Sequence, residues 1–468
     1  MLKYGSYLDI TEIDTALGLK PSNKDTFIIP IRQTFAPKHE IIMNFYVPLQ
    51  QKQNCMKKLL TLICGIMLLV GCKKEDIASP IPDTAKRTVI VYMPGEHNLN
   101  AFINADIQEM VTGMQNVSND YSLLAFVDDA NSSRAPFIVQ ITNNSRQPID
   151  TLYRYSEDFY SSDAGRFSEV LSRCMKLRPA KEYGLVLWGH ADGWIIEQNG
   201  SKATAPRRAY GVDNGDNSTV IPGQNSLFKW MQIPDMCRAL EALNVKFKFI
   251  FCDCCNMMNA ETAYEIRNCT EYLIASPAEI TGMGAPYDTM VKDFFSQNDE
   301  EMYISMCSDY NAQFDYVNGH LPISVVRTSS MPALAEATRK VLPLIADYTK
   351  TADATKGKVY YYAYNKNYNY EKVMYDMYGM VNAALEAYPD EFWQWQDAFY
   401  DAVVYTETST LWHANTVDFS DFEVTADTYG GISMFFPMDK YQRAYNKYNE
   451  GIKQLQWYQA VGWSAVGW

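Results

Sequence analysis

Two apolar runs in the sequence end in side chains that can carry out nucleophilic chemistry. Residues 183–188 (YGLVLW) lead into Gly189-His190, and residues 247–252 lead into Asp253-Cys254-Cys255. A cysteine thiolate can attack an acyl carbon while an imidazole returns a proton to the leaving amine. The chain has five histidines, so few side chains are available as the acid–base group. The two segments are therefore candidates for a single site of acyl transfer.

The order of apolar and amphipathic segments predicts an α/β fold that can bring them together. β-Branched runs such as 88–93 alternate with segments of helical periodicity such as 164–177, the spacing of strand–helix–strand units with a parallel sheet. Beyond about residue 325 the pattern becomes helical and rich in Tyr. Ligands bind at the carboxyl ends of strands in an open parallel sheet. If the strands over 183–188 and 247–252 are neighbours, His190 and the cysteines meet at one edge.

The position of each cysteine leaves more than one chemistry open. Side chains alternate along a strand, so Asp253 and Cys255 should share one face, with Cys252 and Cys254 on the other. Cys255 also lies closest to the next predicted helix, 259–267, whose N-terminus favours a thiolate. However, Cys252 and Cys255 have the C-x-x-C spacing of a dithiol redox site, and buried thiols are commonly structural. Spacing alone supports the redox and peptidase interpretations about equally.

The segment around Cys255 resembles a motif of the clostripain family of cysteine peptidases. The family pattern, Asp-Ala-Cys-Leu-Met followed by Glu and Ala-Tyr-Glu, matches without gaps at Asp253, Cys255, Met257, Glu261 and Ala263-Tyr264-Glu265. Residues 185–194 (LVLWGHADGW) resemble the family's Trp-x-His-Gly-Gly-Gly-Trp stretch, with His190 at the catalytic position. Weaker similarities extend over most of residues 87–468, at 89–93 with Asn98-Leu99, at 374–377 and at 431–437.

The resemblance implies a fold, a mechanism and a specificity. The fold is a caspase-like α/β/α sandwich around a mostly parallel sheet. Cys255 is the nucleophile, His190 the acid–base group, and the backbone N–H groups of Ala191 and Cys255 hold the oxyanion. Cleavage follows Arg or Lys, with Asp253 as the acidic group at the floor of the pocket. We expect no cofactor for the chemistry and no metal site; calcium is a family property, for which residues 213–216 are a weak candidate.

Departures from the family pattern leave a second function open. Ala191 and Asp192 stand where the family has glycines, and Cys254 and Asn256 replace its usual Ala and Leu. The added side chains narrow the approach to the dyad, and Asp192 adds negative charge. A caspase-like binding module with little or no activity is therefore the alternative to a peptidase.

The segment after His190 is a candidate site of self-processing. It is long and rich in Gly, Ser and basic residues, features that suit cleavage by a protease. Lys202 is the first candidate for the cut, with Arg207 and Arg208 as alternatives. Solvated loop charges without a processing role are the competing interpretation.

The N-terminal part of the sequence indicates export. Residues 56–71 contain Met-Lys-Lys, an apolar run and Gly directly before Cys72, which resembles a bacterial lipoprotein signal with lipidation at Cys72. We expect the following division: an upstream extension from a wrongly assigned start (1–55), signal peptide (56–71), tether (72–86), catalytic core (87–325) and a C-terminal region packed on the core (326–468). The product is then a lipoprotein of the outer membrane or cell surface, or one facing the periplasm.

Composition restricts the partners. The chain has 41 basic and 55 acidic residues, a net charge of −14, whereas a general nucleic-acid binder needs a basic surface. An aromatic content of 13% is that of a globular protein. We expect a monomer that acts on proteins or peptides with Arg or Lys at the cleavage site, contacts the membrane through its lipid and binds no nucleic acid.

Overall fold

A computed structural model of the chain describes residues 84–131, 134–195, 209–213, 215, 229–314, 321–366, 369–410, 422–442 and 447–468, and the backbone of 26–35 and 39–48. The chain divides into two units, residues 1–79 and 80–468. In the first unit, β1 (Thr26–Phe35) and β2 (His39–Pro48) form an antiparallel hairpin. The predicted signal peptide, Cys72 and Lys202 with its alternatives Arg207 and Arg208 lie outside the described residues.

The second unit is built on a mostly parallel sheet. The strands of this unit are β3 (Ala85–Gly95), β4 (Tyr121–Asp129), β5 (Phe137–Ile141), β6 (Ile149–Arg154), β7 (Ala180–Trp188), β8 (Tyr210–Asp213), β9 (Lys229–Met231), β10 (Phe247–Asp253), β11 (Thr270–Ala275), β12 (Ile323–Arg327), β13 (Tyr360–Lys366), β14 (Asn369–Asp376), β15 (Val403–Glu407) and β16 (Ser433–Met434). Over the described ranges, nine strands form the central sheet in the order β15-β12-β11-β10-β7-β3-β4-β5-β6. The five from β11 to β4 run parallel, and the outer strands are antiparallel.

Helices flank the central sheet, which confirms the α/β prediction. They are α1 (Ile103–Met114), α2 (Ala164–Leu177), α3 (Ile233–Glu241), α4 (Ala260–Glu265), α5 (Tyr287–Met290), α6 (Asp299–Ala312), α7 (Met331–Thr349), α8 (Met377–Ala384), α9 (Pro389–Ala402), α10 (Asp439–Gln442), α11 (Tyr448–Gly451) and α12 (Gln456–Val461). In the part of the chain that the structure describes, none of them is both long and apolar enough to cross a bilayer.

Local sequence signals explain the central elements. The middle residues of β3 and β7 are fully buried on both faces, which suits the continuous apolar runs 89–93 and 185–187. The helix predicted over 164–177 coincides with α2. Its N-cap residue, Asp163, accepts a hydrogen bond from the Arg166 N–H at 3.0 Å, as short polar side chains do at helix starts.

The Tyr-rich part of the C-terminal region differs from the helical prediction. Its residues form the antiparallel pair β13–β14, which β16 extends. Tyr occupies positions 360–362 and 364, and aromatic residues are enriched in strands. In addition, β15 pairs with β12 in the central sheet, so the sheet that carries the candidate site includes a strand from beyond residue 326.

Candidate active site

The candidate site lies where neighbouring parallel strands end. β11, β10, β7 and β3 are consecutive in the sheet, and Asp253 of β10 pairs in register with Trp188 of β7. The segments that follow these two strands therefore leave the sheet side by side, carrying Cys255 and His190. β4 and β7 lie on opposite sides of β3, so the strand order reverses direction at β3. Ligands bind at such a topological switch point.

A cavity of about 310 Å³ opens at this edge of the sheet. Every site residue selected from the sequence that the structure describes lines it: His190, Cys255, Asp253 and Ala191. Asp192 also lines the cavity, as do Leu99, Trp188, Trp230 and the segment Glu279–Gly282 with Gly284. One enclosed space therefore contains an imidazole, a thiol and a carboxylate.

The imidazole of His190 is held by an amide side chain. Its Nε2 lies 2.8 Å from Oδ1 of Asn98, which follows β3. Because an amide oxygen can only accept a hydrogen bond, Nε2 carries the ring proton and Nδ1 is the basic nitrogen. Asn98 belongs to one of the segments that resemble the clostripain family. The sequence does not predict its contact with His190, because 92 positions separate Asn98 from His190.

The Cys255 thiol is protonated at rest. Burial is the main cause that raises its pKa to about 12. The carboxylates of Glu279, Asp192 and Asp253 contribute to this rise, and the Ile280 backbone opposes it. The Ile280 N–H donates to Sγ at 3.4 Å. The helix whose N-terminus is expected to favour the thiolate is α4, which begins five residues after Cys255 and has six residues. A base is therefore needed to remove the Sγ proton.

Asp253 is a buried acceptor that faces the cavity. Its side chain is 3% exposed, and Oδ2 accepts the Tyr287 hydroxyl at 2.7 Å. Oδ1 has no hydrogen-bond donor among the described residues, although the nearby Ala285 backbone lowers the pKa without reaching hydrogen-bond geometry. Burial outweighs both contacts and raises the pKa to about 6. The carboxyl is thus mostly ionised at neutral pH, with one buried oxygen that lacks a hydrogen-bond donor among the described residues.

Two backbone N–H groups that the sequence analysis assigned to the oxyanion have no acceptor within the described ranges. Ala191 forms an antiparallel bridge with Tyr210, and on either side of it the N–H groups of Asp192 and Gly211 donate to carbonyls. In this pattern the N–H of Ala191 itself points away from the partner strand. Neither it nor the N–H of Cys255 donates a hydrogen bond to another described residue. Both are therefore available to a ligand.

Backbone conformation explains some residue choices around the cavity. Gly193 has φ +67°, and a Cβ there would lie 2.6 Å from the Asn256 carbonyl oxygen. Gly284 has φ +70°, and a Cβ there would lie 2.8 Å from Oδ2 of Asp253. Asn256, which replaces the family's Leu, has φ +59°, a left-handed conformation that Asn tolerates better than most residues. This departure is therefore compatible with the turn after Cys255.

The C-x-x-C pair does not come together in the cavity. Cys252 and Cys254 are buried, and the neighbouring Cys252 thiol contributes to raising the pKa of Cys254. Cys255 lines the cavity, and Cys252 and Cys254 do not. No contact among the described residues favours a dithiol site between Cys252 and Cys255.

Two groups of ligand-type side chains occur outside the cavity in the described ranges, Glu96 with Asp128 and Asp158, and Cys237 with Glu241 and Cys269. In each, the potential ligand atoms lie within 4.8 Å of one another. Asp213, from the stretch considered for calcium, adjoins the first group: burial raises the pKa of Asp128 most, followed by the charges of Asp213 and Glu96. Sequence spacing gives no sign of either group, because each joins segments that are distant along the chain.

A thiol and an imidazole at the carboxyl edge of a mostly parallel sheet define an α/β cysteine peptidase. The model of the clostripain family matches residues 91–468. No curated protein matches the chain. The chain belongs to the clostripain family and is a cysteine peptidase.

Solved structures support the same conclusion. A secreted C11 cysteine protease from Bacteroides thetaiotaomicron, in complex with an irreversible peptide inhibitor, is 26% identical, with a TM-score of 0.65 over 81% of this chain and 99% of that one. An inactive zymogen C11 protease from Parabacteroides distasonis is 24% identical (TM-score 0.63, 81% and 99%). A second secreted protease from Bacteroides thetaiotaomicron, "iotapain", is 18% identical (TM-score 0.63, 81% and 100%). These two similarities establish the fold alone. The caspase-like α/β/α arrangement is confirmed.

Proposed function

We propose that the chain is an endopeptidase that cleaves after Arg or Lys through the dyad of Cys255 and His190. The observation that carries this proposal is the buried Asp253 carboxylate, which lines the same cavity as the dyad and has one oxygen without a donor. A carboxylate in such a place forms a charge-assisted hydrogen bond with a guanidinium or ammonium group. The walls of the cavity exclude water from that pair.

The geometry supports a two-step acyl transfer. His190 takes the Sγ proton of Cys255 at its basic nitrogen, and the thiolate attacks the carbonyl carbon of the Arg or Lys residue. The oxyanion accepts hydrogen bonds from the unused N–H groups of Ala191 and Cys255. His190 then protonates the leaving amine, which leaves a thioester on Cys255. A water molecule, deprotonated by His190, hydrolyses the thioester and restores the thiol.

Hydrolysis of Arg- and Lys-amide peptides by the wild type and single variants tests this proposal. We expect Cys255→Ala to lose activity and the buried Cys252→Ala to keep it, provided that both variants fold. Activity that persists in Cys255→Ala contradicts the proposed nucleophile. A folded wild type that binds such peptides without hydrolysing them indicates the binding module instead. Reduction of insulin that requires both cysteines indicates the redox alternative.

We also propose self-processing after Lys202 in the segment that follows His190. The basic residues there match the proposed specificity, and Arg207 and Arg208 are the alternative positions. Wild-type protein should give two fragments during purification, while Cys255→Ala stays a single chain. Identical fragments in both proteins would show that another protease makes the cut. Lys202→Ala distinguishes the first position from its alternatives.

Export as a lipoprotein is proposed from residues 56–72. The related Bacteroides thetaiotaomicron protease described as secreted supports export of this chain. Cys72→Ala, or globomycin treatment of cells, should block maturation and leave a larger, unlipidated product. Cellular protein that retains residues 1–55 contradicts the revised start. Fractionation of the mature protein then identifies its membrane.

No step of the proposed reaction requires calcium. Its preferred ligands are carboxylate oxygens, so Glu96, Asp128 and Asp158 are the residues that fit it, with Asp213 beside them. Glu96 and Asp128 are buried and Asp158 is partly buried, so the ion would reduce the repulsion between these carboxylates and stabilise the carboxyl ends of β3 and β4. Calcium should then raise the melting temperature (Tm) of the wild type more than that of Asp128→Asn. An equal response of the two proteins contradicts this assignment.

A further inference from the structure

A second histidine lies against His190. His97 is fully buried, and its ring centroid is 4.7 Å from that of His190. Trp188 also stacks on His97, with a centroid distance of 5.8 Å and an interplanar angle of 21°. Two of the five histidines of the chain are therefore in contact at the candidate site, although His97 does not line the cavity.

Both ring nitrogens of His97 are engaged within one turn of the backbone. Nδ1 accepts the Leu99 N–H at 3.1 Å, so Nε2 carries the proton and donates it to the Pro94 carbonyl at 2.6 Å. These bonds define one neutral tautomer. Burial and the neighbouring His190 lower the pKa of His97, which agrees with a neutral ring. A Phe side chain offers a ring to pack in this space but neither hydrogen bond.

The turn that His97 fixes carries the partner of His190. Asn98 lies between His97 and Leu99, and its Oδ1 holds Nε2 of His190 at 2.8 Å. His97 is also the N-cap of the short 3₁₀ helix Asn98–Ala101. The position of the Asn98 side chain is therefore coupled to the cap on Leu99. A displaced Asn98 would remove a hydrogen bond that helps to orient the His190 ring.

Trp188, which stacks on His97, is anchored to the helix layer. The Trp188 indole Nε1 donates to Oδ2 of Asp106 at 2.6 Å, and Asp106 is 2% exposed in the first turn of α1. Burial and the charge of Asp253 raise the pKa of Asp106 to about 8. The indole has little freedom to move in this arrangement. Trp188 therefore restricts the movement of the His97 ring against which it stacks.

We propose that His97 is a positioning residue of the peptidase reaction, which acts through Asn98 to hold the His190 imidazole in its reactive orientation. The proposal rests on the proposed function, because it assigns His190 as the acid–base group. His97 does not line the cavity, so it acts on the reaction only through its neighbours. Its loss should therefore lower kcat and leave KM almost unchanged. A misplacement of about 1 Å in a catalytic group can cost about 100-fold in rate.

Variants of His97 separate the hydrogen bonds from the ring. His97→Phe keeps a ring but loses both bonds, and we expect kcat to fall about 10- to 100-fold with KM within about threefold. His97→Asn can still cap the Leu99 N–H, since Asn is among the best N-cap residues, and should keep kcat within about fivefold of the wild type. His97→Gln lacks this local cap and should have a lower kcat than His97→Asn. This Asn–Gln comparison still decides the question if His97→Phe does not fold.

A double-mutant cycle tests whether His97 acts through Asn98. Asn98→Ala alone should lower kcat, and His97→Phe should cost no more than about a further twofold in that background. Multiplicative losses, or His97→Phe within twofold of the wild type, would overturn the proposal. An inactive, folded wild type would instead refute the proposed function. Thermal unfolding of each variant identifies any loss of activity that comes from instability.

Discussion

Replacing Asp253 by Asn should remove the preference for a cationic side chain without removing the dyad. Asp253 is 3% exposed; its Oδ2 accepts a hydrogen bond from Tyr287, and its Oδ1 has no donor among the described residues. Truncating one partner of a buried charge pair costs about 2–5 kcal/mol. Because each 1.36 kcal/mol is tenfold in rate, the expected loss in kcat/KM for an Arg peptide is about 30- to several-thousand-fold. The near-complete burial favours a value of about 100-fold or more.

The assay compares two peptides that differ only in charge. Citrulline has nearly the shape of Arg but is neutral, so the ratio of kcat/KM for the two peptides isolates the contribution of the charge. We expect this ratio to be about 100 or more in the wild type and to fall to within about threefold of unity in Asp253→Asn. Asp192→Asn is the matched control, because it removes another carboxylate of the same cavity and should largely retain the ratio. A high ratio in Asp253→Asn refutes the reasoning.

The same ratio should depend on pH. The pKa of Asp253 is about 6, and only the ionised carboxylate attracts the guanidinium. The ratio should therefore rise between pH 5 and 7, while titration of the dyad affects both peptides and cancels. The Tyr287 hydroxyl lowers the pKa of Asp253, so Tyr287→Phe should move the midpoint to higher pH. A ratio that does not change with pH excludes Asp253 as the group that binds Arg.

Three further results are expected. Asp192→Asn removes one of the charges that raise the pKa of Cys255, so iodoacetamide should alkylate Cys255 faster at pH 7.5; an unchanged rate contradicts this. Folding raises the pKa of Asp253 above its usual 3.8, so its carboxyl lowers stability as pH rises from about 4 to 6. Asp253→Asn should accordingly increase Tm at pH 7.5 but little at pH 4, and equal increases refute the argument. Gly284→Ala should raise KM for Arg peptides, because the new Cβ crowds Oδ2 of Asp253; an unchanged KM excludes that crowding.

The parts of the site that depend on local pattern were accessible from the sequence. The apolar runs before His190 and Cys255 are neighbouring strands, and the alternation argument placed Asp253 and Cys255 on one face. Both residues line the cavity. The helical period of 164–177 gave the bounds of α2. In each of these cases, the signal lies within one element or in the order of elements.

The remaining contacts depend on loops that are distant along the chain. Tyr287 reaches Asp253 over 34 positions and Asn98 reaches His190 over 92, and periodicity does not specify which loop meets which strand. His97 gave no signal because its bonds are to backbone groups. The protonated thiol of Cys255 was not predictable either, since its pKa depends on burial and on carboxylates from other segments.

The central claim is that Cys255 is the nucleophile of a site that selects Arg or Lys. Its most direct test is labelling with an irreversible peptide inhibitor that carries Arg at the reactive end, followed by mass mapping. We predict one label per chain on Cys255, strongly slowed in Asp253→Asn and His190→Ala and prevented by an excess of Arg peptide. Labelling of another cysteine would contradict this account, as would labelling of Cys255 at the same rate whether or not the inhibitor carries Arg.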